Sequence, residues 1–327
     1  MIATTFPLQR AADATALKSL SIIDLGNGDV KVLYRKPGVD AWETIKFPSL
    51  VAKLSEPQPG CFQVAGQLYL VGEDAKQATC TRTGASDRGK IDNALPLLVY
   101  ALRSLVGERL SVNTDLIFTS PSVKQYGRAI QEIVEGSHVV VTPADALAMI
   151  SQREQTFTVG TVAAQLEGHR AIELVKAEIE DRALLVDVGN RTVLVSLVDK
   201  TGRIISRKAF DACGVRGIAS RIVTAESLAG VDGLKLTPSE DDVMAFLFSK
   251  KGRKAKDLIL PQVMACVSEA LAYINDVAAS SPVFLLGGGA QLPGLTKVLG
   301  GKVIDDPQWA TVNGLKAVAD ALIARAE

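Results

Sequence analysis

The chain has 327 residues, 47% of them hydrophobic, which suits two domains that each bury a core. Its 36 basic and 36 acidic side chains cancel, so no bulk field draws it to nucleic acid, a membrane surface or acidic ligands, and any DNA contact would need a local patch or an adaptor. Four scattered cysteines (Cys61, Cys80, Cys213, Cys266) with no CxxC pair, and only His138 and His169 as imidazoles, argue against a disulfide frame, a zinc site and His-based catalysis. No apolar run approaches the ~20 residues of a membrane span. The opening "MIATTFPLQRAADATALKSL" lacks the apolar core of a signal peptide, so a cytoplasmic location is expected.

Residues 1–18 read as a tail ahead of the first strand. Strands follow at 20–25, 30–35, 43–48, 62–65 and 68–71, where apolar and polar residues alternate across short turns. "TCTRTGASDRGK" (79–90) reads as a polar surface loop. "NALPLLVYALRSLVG" reads as a buried helix with Asn93 as its cap, "TDLIFTSPS" as a strand halted at Ser120-Pro121, "KQYGRAIQEIVEG" as a helix, "SHVVVTP" as a strand, and "ADALAMISQ" as a helix start. The polar stretch "REQTFTVGTVAAQLEGHRAIELVKAEIEDR" has helical spacing at Leu166, Ile172, Leu174 and Val175. It is read as an inter-domain connection or insertion.

The second half runs in a similar order. The hairpin "ALLVDVGNRTVLVSLVD" and the strand "GRIISRKAF" come first. Helices follow in "RGIASRIVTAESLAG", near 239–249 and around 258–279. After them come the buried strand "PVFLLGGG" and the periodic C-terminal "VNGLKAVADALIARA". The basic run "KKGRKAK" (250–256) reads as a solvated loop. The expectation is an α/β fold of two related domains, 19–182 and 183–309, with a helix of about 310–327 packing back on the first.

Each half carries one copy of a particular hairpin, "SIIDLGNGDVKVLY" and "ALLVDVGNRTVLVSLVD", with the aspartates Asp24 and Asp187 separated by 187 − 24 = 163 positions. A turn containing Gly and Asn gathers backbone N–H groups towards one point, a concavity that holds phosphate oxygens. Gly26, Gly28 and Gly189 tolerate close backbone approach. A carboxylate beside phosphate is repulsive unless a cation intervenes, and two carboxylates suit a Mg²⁺ that keeps much of its water. Lys31 would add positive charge above the phosphates. Either hairpin alone is ordinary turn chemistry. Two copies followed by Gly287, Gly288 and Gly289 behind a buried strand, and then by "ATVNGL" at 310–315, form a more specific set.

In that order, "DLGNGDVK", "DVGNRT", "FLLGGGAQLPG" and "ATVNGL" resemble the phosphate, adenosine and connecting motifs of the actin-like ATPase superfamily. Within it the chain looks most similar to the ParM-like bacterial plasmid-segregation actins. The resemblance covers roughly 19–327 and implies two actin/ribonuclease-H-like domains flanking a nucleotide cleft. It further implies ATP (GTP is possible) with Mg²⁺ held through water by Asp24 and Asp187. Gly26, Asn27, Gly28, Lys31, Gly189, Asn190, Arg191 and Thr192 would meet the phosphates, and Gly287 to Gly289 the adenosine.

Relatives carry a Pro-Glu-x-x-x-Ala segment whose Glu helps position the attacking water. "PADALA" is taken as its counterpart, which puts Ala144 in the Glu position and leaves Asp145 as the candidate catalytic carboxylate. The function implied is a nucleotide-dependent filament that segregates DNA through a DNA-binding adaptor, with no direct contact to nucleic acid or membrane. The alternatives are a cytoskeletal filament with little or no ATPase activity and a small-molecule kinase of the same superfamily.

Overall fold

A computed structural model describes residues 19–78, 82–84, 87–106, 111–143, 154–225, 228, 230–278 and 281–324. The chain divides into two compact units. One comprises residues up to Glu167 together with those from Val318 onward, and the other runs from Gly168 to Ala317.

The first unit is built on a ten-stranded sheet. Its strands are β1 (Ser19–Leu25), β2 (Asp29–Arg35), β3 (Trp42–Pro48), β4 (Leu50–Leu54), β5 (Phe62–Val64), β6 (Gln67–Val71), β7 (Arg82–Gly84), β8 (Ser111–Ser120), β9 (His138–Pro143) and β10 (Gln155–Leu166). They lie in the order β3-β2-β1-β8-β10-β9-β5-β6-β4-β7. β1 pairs antiparallel with β2 and parallel with β8, and β8 pairs parallel with β10. Every residue of β1 is buried, as a central strand covered on both faces requires. The core-facing side of the helix Asp87–Val106 supplies Ala94, Leu97, Leu98, Ala101 and Leu102, which pack with Ile23, Leu25, Val30 and Phe118.

The second unit holds a five-stranded sheet of β11 (Arg182–Val188), β12 (Val193–Asp199), β13 (Ile204–Phe210), β14 (Val283–Leu286) and β15 (Lys302–Val303). Their order is β13-β12-β11-β14-β15. Alternate residues of β11 serve two cores. Leu184, Val186 and Val188 face the helices Val215–Val223 and Lys256–Ala278, while Ala183 and Leu185 face Ile172, Phe284 and Ala310. The helix Lys256–Ala278 is long and apolar enough to cross a membrane by length and composition. Its Ile259, Val263, Val267, Ala270 and Ile274 belong to this unit's core.

The order β3-β2-β1-β8-β10 in one unit repeats as β13-β12-β11-β14-β15 in the other. In both, an antiparallel three-strand meander continues into two parallel neighbours. The internal duplication that the hairpins suggest therefore extends to the topology of both sheets.

Several elements differ from the sequence reading. Residues 155–166, read as part of a connection or insertion, form the long strand β10 in the interior of the first sheet. The units divide at Glu167/Gly168, so 168–182 belong with the second unit and not with a first domain ending at 182. The C-terminal helix is Ala310–Ile323, and only its part from Val318 groups with the first unit, where the Trp42 indole donates to Asp320 Oδ1 at 3.0 Å. The basic run is helical, with a turn at Lys250–Lys254 capped by Ser249 and a second helix from Lys256. Within 79–90, Arg82–Gly84 is a strand and a helix begins at Asp87. The helix start expected at "ADALAMISQ" lies outside the described residues.

Candidate functional site

In the first hairpin β1 and β2 are joined by a four-residue turn, Gly26 to Asp29, because Leu25 pairs with Val30. That register sets Asp24 directly across from Lys31. Lys31 Nζ donates to Asp24 Oδ2 at 2.7 Å, and on the other side the Thr119 hydroxyl, from the end of β8, donates to Oδ1 at 2.6 Å. Burial pushes the Asp24 pKa up. Lys31, the Thr119 hydrogen bond and the nearby Lys90 ammonium outweigh that push and hold it below the ordinary carboxylate value. A Cβ on Gly26 would stand 2.5 Å from the Asp29 carbonyl oxygen, so the tight turn requires glycine there. The buried amide oxygen of Asn27 has no hydrogen-bond partner among the described residues, an acceptor a ligand or water would satisfy.

The second hairpin copies the first in register. Val188 pairs with Val193, the four-residue turn is Gly189 to Thr192, and Asp187 faces Leu194. Its backbone is tied to the helix that follows β13. Gly214, Val215 and Arg216 donate their N–H groups to the carbonyls of Arg191 (3.0 Å), Gly189 (3.1 Å) and Asn190 (2.8 Å). Carbonyl and N–H point in opposite directions across a trans peptide. The N–H groups of Asn190, Arg191 and Thr192 are therefore aimed away from that helix, side by side, as an anion-binding turn needs. The side chain of Arg191 is exposed, and the Thr192 hydroxyl donates to Asp211 Oδ1 at 3.4 Å.

Asp187 lies against bare backbone. A Cβ on Gly287 would be 2.3 Å from Asp187 Oδ1, and one on Gly168 2.9 Å from Oδ2; both glycines have positive φ, 82° and 70°. The glycine triplet thus does two jobs. Gly287 leaves room for the carboxylate, and Gly289 packs on Val188, whose Cγ1 would lie 2.4 Å from an added Cβ. Gly288 is half-buried beside the Gln308 amide. After the triplet come a short helical turn at Gly288–Gln291 and a second at Leu295–Leu299.

Ala144 and Asp145 lie outside the described residues. The last strand of the first unit is β10, ending at Leu166, and the residues after it read Glu167-Gly-His-Arg-Ala171, the Glu-x-x-x-Ala spacing sought at 144–148. Glu167 holds its place through a backbone N–H donated to Ser120 O at 3.1 Å and an ion pair with Lys90. Asp24, Thr119 and Glu167 thus stand at the carboxyl ends of three adjacent parallel strands, β1, β8 and β10, where open α/β sheets place their ligands.

Thr119, Lys90 and Glu167, gathered near Asp24 at this end of the first sheet, are residues that pattern reading did not single out. The available signals were a hydroxyl at the end of "IFTS", a lysine in the apolar stripe of a helix, and the Glu-x-x-x-Ala spacing after "TVAAQL".

No cluster of three His, Cys, Asp or Glu side chains suited to a metal occurs among the described residues.

Residues 23–169 match the family model described as the N-terminal domain of actin-like proteins. No curated protein sequence matches the chain. Among solved structures, an archaeal actin homologue, Ta0583, aligns with a TM-score of 0.72 at 18% identity over 93% of this chain and 99% of its own. The apo pSK41 ParM protein aligns at 0.68 and 16%, over 95% and 99%. Bacillus thuringiensis ParM with ADP aligns at 0.66 and 13%, over 94% and 98%.

Proposed function

We propose that this chain, which has the fold of the ParM proteins and of the archaeal actin homologue and whose residues 23–169 match the N-terminal domain of actin-like proteins, binds ATP with Mg²⁺ and assembles into filaments whose turnover follows hydrolysis. One observation carries the reading: the Asp-bearing hairpin occurs twice in the same register, once per unit, each time with a four-residue turn suited to phosphate. Solved relatives support the ligand class, since ParM from Bacillus thuringiensis is described with ADP and with ATP and Ta0583 in complex with ADP. The ParM filament from Clostridium botulinum, at 16% identity, supports self-assembly.

In this account Gly26, Asn27, Gly28, Lys31, Gly189, Asn190, Arg191 and Thr192 would meet the phosphates. Gly287 to Gly289 lie against the nucleoside; GTP is accepted in principle. Asp24 and Asp187 would hold Mg²⁺ through its water, and the ion would neutralise phosphate charge. Glu167, not Asp145, orients the attacking water, a task whose rate depends on positioning. Nucleotide binding would favour one conformation of the chain and hydrolysis another, the differential affinity a switch requires.

The filament would act in the cytoplasm on DNA through a DNA-binding adaptor, since the balanced charge of the chain offers no general attraction to nucleic acid. The reading as a filament with little ATPase activity rested on Ala144, and Glu167 removes its motive. Light scattering with ATP, ADP and no nucleotide, run beside phosphate release, tests the proposal. Assembly with ATP and phosphate release lost in Glu167→Gln are expected; no nucleotide-dependent assembly at high protein concentration would refute it.

A further inference from the structure

Lys90 is 1% exposed, on the buried face of a helix where Asn93 is the other buried polar side chain and the rest are apolar or glycine. The inward stripe of Asp87–Val106 runs Lys90, Ala94, Leu97, Leu98, Ala101. Burying an ammonium is costly, and an apolar pair of the same volume commonly serves stability as well as a buried ion pair does. The charge therefore asks for another explanation. It is met by two carboxylates at the end of the sheet. Lys90 pairs with Glu167 and lies near enough to Asp24 to help keep that carboxylate ionised. Asp24 is in turn held by Lys31 and Thr119. The cluster is thus two cations and two anions, with the Glu167 side chain 15% exposed and Lys90 sealed behind it.

We propose that Lys90 is the positioning residue for Glu167: through their ion pair it fixes where the carboxylate points. The proposal rests on the reading of Glu167 as the water-orienting group. A Glu side chain at the end of a strand has several rotamers. One salt bridge to a buried, immobile ammonium removes that freedom before substrate arrives, which is how a small error in carboxylate position is avoided. Lys90 touches neither substrate nor metal in this scheme, so its loss should spare binding and strike turnover.

The test is nucleotide affinity by calorimetry and single-turnover phosphate release, measured on wild type, Lys90→Met and Lys90→Arg. Lys90→Met should bind ATP·Mg²⁺ within about threefold of wild type while its release rate falls about a hundredfold or more, the split expected for a lost positioning contact. Lys90→Arg should recover a good part of that rate, with a residual loss of about tenfold because a planar fork is not an ammonium. Wild-type turnover alongside a Lys90→Met rate within about threefold of it would overturn the assignment of Lys90 alone. If Lys90→Met fails to fold, Lys90→Arg is read by itself, and a wild-type rate there overturns the assignment. A wild-type protein that binds nucleotide but never releases phosphate overturns the hydrolytic reading and this inference with it.

Discussion

The two hairpins share register, turn length and an aspartate one residue short of the turn, yet they set that aspartate opposite different cross-strand neighbours. Across from Asp24 is Lys31, at 2.7 Å; across from Asp187 is Leu194, an apolar residue only 8% exposed. The first carboxylate is held by charge, with Lys31 and Lys90 on one side and the Thr119 hydroxyl on the other. The second sits between two positive-φ glycines whose missing Cβ atoms make its space. One geometry thus supports two electrostatic settings, and the difference shows which residue each hairpin can least afford to lose.

The largest effect should come from removing the charge in the first hairpin. Lys31→Leu makes it imitate the second, leaving Asp24 without its nearest cation, and unfolding should become easier by about 3–5 kcal/mol, the usual result of breaking a buried pair. The sign of the pH dependence should change as well. In wild type the Asp24 pKa is lowered from 3.8, so its contribution is present above that value and is lost as pH falls through the folded-state pKa. In Lys31→Leu, burial, the largest influence and the one that raises the pKa, meets less opposition. The variant should therefore gain stability relative to wild type on acidification. Urea unfolding at acidic and neutral pH measures both, and a constant difference across pH would contradict the account.

Next is Gly287→Ala in the second hairpin's support. A methyl group there would meet Asp187 Oδ1 at 2.3 Å and the Val188 carbonyl oxygen at 2.6 Å, on a residue with φ of 82°. Overpacking with backbone strain should cost about 1–3 kcal/mol or more and weaken nucleotide binding at the same time. A thermal melt and a binding titration on one sample check both. The smallest effect is expected from Leu194→Lys, which gives Asp187 the cross-strand partner that Asp24 has. Stability should move by less than about 1.5 kcal/mol, because the new charge has a carboxylate opposite it. A large loss would show that position 194 needs to be apolar for packing.

The sequence made the hairpins legible because each is a local pattern whose register follows from turn length alone. Strand β10 was not legible in the same way. Its pairing with β8 shifts between Val159 and Val162, and a bulge there resets the phase of alternation. Phe157 and Val159 lie on one phase, and Val162, Ala163 and Ala164 then run together, so neither period 2 nor a continuous apolar run stands out. Missing that strand displaced the end of the first sheet, and with it the place where a Glu-x-x-x-Ala segment was sought, to residues 144–148. Lys90 and Thr119 were illegible for another reason. Their partners lie 77 and 95 positions away in sequence, and only the parallel order of β1, β8 and β10 brings them together.

Titrating the protein with ATP·Mg²⁺ in a calorimeter, beside Asp187→Ala, tests most directly whether the hairpin aspartate serves nucleotide binding. Saturable binding by wild type that weakens at least about tenfold in the variant is the predicted result. No heat of binding with ATP or GTP, or an Asp187→Ala isotherm that overlays wild type, would contradict it.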